Sequence, residues 1–111
     1  MGKAAIGAGD VEIELDGEKA VLRPSLKAAQ AISRQAGGIM GAMQALRTLD
    51  VDALTSVIAL GLGKEAKDVA EAVYRTGVAD LTPPATLFLT MLANGGRPAD
   101  DAGGEGGEDP R

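Results

Sequence analysis

The chain has no cysteine, no histidine and no tryptophan, and its aromatic content is a single Phe and a single Tyr. Without cysteine there are no disulfide staples and no thiol nucleophile. Without histidine there is no imidazole base, and zinc sites built from Cys or His are excluded as well. With only Phe88 and Tyr74 as aromatics, the core must come from Ala, Leu, Val, Ile and Met, which suits helices packed closely through small residues. No apolar run approaches the roughly 20 residues needed to cross a bilayer. Positive charge is scarce too: 11 Lys and Arg stand against 16 Asp and Glu, a net charge of −5, which argues against a nucleic-acid partner. The N-terminus lacks the long apolar stretch of a secretory signal. These absences point to a soluble intracellular protein that is not an enzyme and carries no cofactor.

What remains is 111 residues, 45% of them hydrophobic, enough for one domain. Strict alternation in Val11-Glu12-Ile13-Glu14-Leu15, followed by Asp16-Gly17, predicts a β-hairpin, because a type I′ turn needs positive φ at both central residues. Centring the turn on Asp16-Gly17 pairs Leu15 with Glu18, Glu14 with Lys19, Ile13 with Ala20, Glu12 with Val21 and Val11 with Leu22. One face is then apolar and the other wet, and a lone hairpin needs something beneath it.

Arg23-Pro24 ends the second strand and Ser25 reads as the N-cap of a helix over residues 26–36, stopped by Gly37-Gly38. Its inward side is expected to hold Leu26, Ala29, Ile32, Ser33 and Ala36. A second helix runs to about residue 48, with Ile39, Met40, Met43 and Leu46 inward. Asp50 or Asp52 caps a third over 51–60, closed by Gly61-Leu62-Gly63. The fourth covers 64–76, with Ala66, Val69, Ala70, Val73 and Tyr74 on its apolar side and Gly77 as its stop. Thr82-Pro83 reads as the cap and first position of a fifth, running to residue 93 or 94. The expected fold class is α+β, mainly α: an N-terminal hairpin, then about five short helices in a small bundle. Residues 1–9 are expected to be flexible and 10–95 to form the domain. Residues 96–111 are expected to be a disordered Gly-rich acidic tail, since glycine and acid without apolar mass do not repay ordering entropy.

Look-alike motifs fail on inspection. Gly61-Leu62-Gly63-Lys64 lacks the first Gly and the Ser or Thr of a phosphate loop, because Ile58 and Glu65 stand there. Asp50-Val51-Asp52 continues with Leu54 where a calcium loop needs a ligand and Thr55 where it needs glycine. Glu12 and Glu14 read as a solvated strand face, and Gly37 and Gly41 as a break between helices.

One pattern exceeds what a single core face requires. Leu87, Phe88, Leu89, Met91 and Leu92 span an arc of about 200°, against about 100° for a helix packed from one side. The third helix is also broad, with little wet surface beyond Thr55 and Ser56. The candidate partner-binding residues are therefore Leu87, Phe88, Met91, Val57 and Ile58, with self-association a further possibility. No catalytic, cofactor-binding or metal-binding residue is expected.

Taken together, the Asp-Gly hairpin, Leu22-Arg23-Pro24-Ser25, Ala36-Gly37-Gly38, the stretch from Leu49 to Leu54, Gly61-Leu62, Val73-Tyr74-Arg75-Thr76-Gly77 and Leu81-Thr82-Pro83-Pro84 make a recognisable series. Over about residues 10–95 this resembles the tail assembly chaperone family of gene transfer agents and related siphophages. The resemblance implies a helper in the bacterial cytoplasm that binds the tape-measure protein, brings tail tube protein to it and is absent from the finished particle. Two alternatives stand beside it: a minor structural tail protein retained in the particle, and an acyl-carrier-like protein. The carrier is the remoter alternative, because Asp52-Ala53-Leu54 has no serine to modify.

Overall fold

The computed structural model describes residues 7–98. The expected flexibility of residues 1–6 and disorder of 99–111 lie outside the described residues. The chain forms β1 (Val11–Leu15), β2 (Glu18–Leu22), α1 (Leu26–Ala36), α2 (Ile39–Arg47), α3 (Val51–Leu62), α4 (Ala66–Thr76) and α5 (Val78–Ala93). This is the mainly helical α+β fold expected. Among the described residues no helix is long and apolar enough to cross a membrane.

The hairpin has the register read from the alternation, from Val11 opposite Leu22 to Leu15 opposite Glu18. Asp16 and Gly17 both have positive φ, 54° and 85°, as a type I′ turn requires. Val11, Ile13 and Leu22 are buried while Glu12, Glu14 and Lys19 are exposed. Lys19 reaches diagonally to Glu12, with Nζ 3.9 Å from a carboxylate oxygen, rather than to Glu14 directly opposite. Two contacts at the tip orient the sheet. The Asp16 amide donates to Thr76 Oγ1 at 2.6 Å and the Asp16 carboxylate lies 3.5 Å from Arg75. At the other end the Arg23 amide donates to the Gly61 carbonyl at 2.9 Å. The apolar face therefore spans the α4 end and the end of α3.

Caps explain most helix boundaries. Ser25 Oγ accepts the Ala28 amide at 3.1 Å, and Asp50 accepts the Ala53 amide at 3.0 Å. Gly37 and Gly63 close α1 and α3 in the left-handed conformation. Three boundaries differ from expectation, the smallest being the start of α4 at Ala66 rather than at residue 64. Helix α5 starts at Val78, directly after Gly77, so Pro83 and Pro84 sit inside it. Their missing amides would have served the carbonyls of Ala79 and Asp80, and both residues are exposed, so water takes those acceptors. Thr82 does not cap; its hydroxyl donates to the Val78 carbonyl at 2.8 Å. Helix α3 runs on through Gly61, which belongs inside it for a packing reason. A Cβ there would lie 2.9 Å from two Leu22 side-chain atoms and 3.1 Å from Phe88 Cζ.

Helices α3 and α5 pack on each other, and each also touches α1, α2 and α4; β2 covers α3 and β1 covers α5. Two helices are thus enclosed in one small body. Small residues make this possible: Gly61, Ala59, Ala85, Ala42 and Ala28 are all buried and let helix axes approach. The outer helices bury narrow stripes. Ala28 and Ile32 turn inward on α1, Ala42 and Leu46 on α2, and Val69 and Val73 on α4, each an i, i+4 pair. Leu26, Met40 and Tyr74, expected on the inward sides, are 73%, 71% and 73% exposed. Thr55, expected to be wet, is buried, and its hydroxyl finds no partner among the described residues.

The body also extends slightly past residues 10–95. Gly9 is buried, and a Cβ on it would overlap the Gly96 carbonyl oxygen. The Gly96 amide donates to the Met91 carbonyl at 2.7 Å. Both chain ends of the described body therefore meet at Pro24.

Candidate functional site

Of the five residues singled out for partner binding, four are interior. Phe88 and Ile58 have no exposed surface, Val57 is 2% exposed and Met91 7%. The broad apolar arcs of α3 and α5 are consumed against each other and against the hairpin and outer helices, so that apart from Leu87 they leave little spare surface. Phe88, for example, lies over Gly61 and hence against the β2–α3 junction. Only Leu87, 46% exposed, stands at the surface.

The surface holds a different feature, lined by both apolar and polar residues. An open groove of about 310 Å³ runs between α1, α2 and α3. Its floor is Ile32, Ala42 and Val57, and its walls are the small residues Ala36, Gly41, Ala45 and Ala53. Gly41 permits the narrow join of α1 and α2, since a Cβ there would strike the Ala36 carbonyl oxygen. Gly37 is the break between the helices, as read from the sequence, but Gly41 is a close approach. Gln35, Asp50, Asp52 and Ser56 add polar groups to its lining.

Leu49 and Val51, which flank Asp50, are 50% and 40% exposed. Leu49 adopts φ 58°, in the left-handed region, at the position after the α2 C-cap where glycine is usual. The amides of Leu49 and Asp50 close the turn by donating to the Leu46 and Ala45 carbonyls at 3.0 and 3.3 Å. A branched side chain in this conformation costs about 1–2 kcal/mol. Half-exposure of the same side chain forgoes about 1 kcal/mol of burial. The fold thus tolerates Leu49 at a disadvantage on two counts. Periodicity could not have flagged it, because the residue looks like the last member of the α2 apolar stripe. Its conformation follows only from the turn that Asp50 imposes by capping the next helix immediately.

In comparison with known proteins, no family model, no curated protein and no solved structure matches this chain.

Proposed function

We propose that this chain is a non-enzymatic tail assembly chaperone of the gene transfer agent and siphophage kind, acting in the bacterial cytoplasm. Its partner is the tape-measure protein, to which it helps bring tail tube protein. The binding surface is the α1–α2–α3 groove with its rim at Leu49 and Val51, not the interior arcs of α3 and α5. Leu49, strained and half-exposed next to Asp50 of the groove lining, is the observation that carries this reading. A residue unfavourable to the fold in both conformation and exposure is accounted for when a partner covers it. A groove with alanine and glycine walls accepts a bulky side chain from a helical segment laid across it, the mode by which amphipathic helices dock.

Leu49→Gly separates stability from binding. Relief of the left-handed strain should raise stability by about 1 kcal/mol, or about 5 °C in the thermal midpoint. Loss of the rim side chain should weaken binding to a tape-measure fragment about tenfold. Thermal melts and co-purification of the co-expressed fragment read the two effects. A more stable variant with undiminished binding would remove the rim from the site.

A further inference from the structure

The described chain ends beside the start of α1. Gly96 lies against Gly9, and Gly95 and Gly96 line a depression of about 320 Å³ together with Pro24, Ser25, Leu26 and Ala29. Helix α1 and the following α2 carry Lys27, Arg34 and Arg47 and no acid between residues 24 and 49. All three cations are exposed, and none is in an ion pair among the described residues, whereas Lys19, Arg23, Lys67 and Arg75 are. Residues 99–111 have the opposite character: Asp100, Asp101, Glu105, Glu108 and Asp109 against one arginine.

We propose that this acidic C-terminal segment docks back on the exposed face of α1, its carboxylates against Lys27 and Arg34 and its backbone over Leu26. The reach is sufficient. Thirteen residues extend to about 40 Å at most, with a typical flexible span of about 20 Å, and the 11 residues of α1 cover about 16 Å. Asp100 and Asp101 fall within reach of Lys27, and the later acids within reach of Arg34. Single exposed ion pairs are weak, but a tether makes each further contact intramolecular. Lys27 shares a depression with Lys64, Glu65 and Asp68, so Arg34 is the clearer reporter. This inference does not depend on the chaperone reading.

The absence of native cysteine makes the test clean, since Gly106→Cys in the full chain takes one spin label. At about 0.01 M salt, where the screening length is about 30 Å, the Lys27, Gln30 and Arg34 amide signals should fall at least about twofold below a control. The control is the same labelled chain with D100N, D101N, E105Q, E108Q and D109N, which keeps the tether and removes the charge. At about 1 M salt the difference should vanish. Equal signals for the charged and neutral segments would overturn the proposal. So would loss appearing on an unlabelled copy mixed with the labelled one, which would place the segment on a second molecule.

Discussion

Replacing Phe88 with aspartate is expected to abolish the folded state, with loss of the helical circular dichroism signal at 25 °C. Phe88 has no exposed surface and packs over Gly61 at the junction of β2, α3 and α5. Truncating a buried Phe costs about 3–5 kcal/mol, and an uncompensated carboxylate in that space adds several more. A chain of this size has a total stability of only about 5–10 kcal/mol, so the sum exceeds what the fold can lose. Leu87→Asp is the matched control: at 46% exposure, it should shift stability by about 1 kcal/mol or less and leave the chain helical. If Phe88→Asp instead remained helical and lost only partner binding, Phe88 would be surface and α5 would be turned differently from the structure.

Gly61→Val, at the one glycine of α3, should be strongly destabilising. The first added atom already lies 2.9 Å from Leu22 Cβ, which is fixed to the β2 backbone and has no rotamer by which to withdraw. The two further methyls deepen the overlap towards Phe88. Overpacking of this kind costs about 3 kcal/mol, and urea unfolding should show that loss as a lower midpoint. Gly61→Ala sets a gain of about 1 kcal/mol in helix propensity against the first overlap alone, so its loss should be much smaller. A Gly61→Val variant as stable as the parent would mean that β2 does not close on α3 at this point.

The hairpin was legible to the residue because two independent signals agree: alternation sets the faces and Asp-Gly sets the turn centre. Several helix ends were legible where glycine or a hydroxyl cap stood at the junction, as at Ser25, Gly37 and Gly77. Pro83-Pro84 misled for a physical reason. Proline at a helix start and proline inside a helix whose freed carbonyls face water look alike in sequence, and here Gly77 had already begun the helix. The inward faces of α1, α2 and α4 were harder still. Each buries only a pair four residues apart, and in α1 and α2 the smaller Ala28 and Ala42 are chosen over Leu26 and Met40 because close packing on α3 and α5 needs them.

The same close packing explains why the candidate site was misplaced. A broad apolar arc signals either a partner or a helix surrounded by its own chain, and the difference depends on whether a second helix can be enclosed as well. Glycine and alanine at Gly61, Ala85 and Ala42 allow it, so Val57, Ile58, Phe88 and Met91 became core. The exposed apolar rim at Leu49 depends on a left-handed backbone that no periodicity encodes.

The most direct measurement is amide chemical-shift mapping of the full chain titrated with a soluble helical fragment of the tape-measure protein. Shifts confined to Ala36, Gly41, Ala45, Leu49 and Ala53 are the expected result, with α4 and the hairpin unaffected. No shifts at saturating fragment, or shifts centred on Leu87 and Tyr74, would contradict the groove between α1, α2 and α3 as the binding surface.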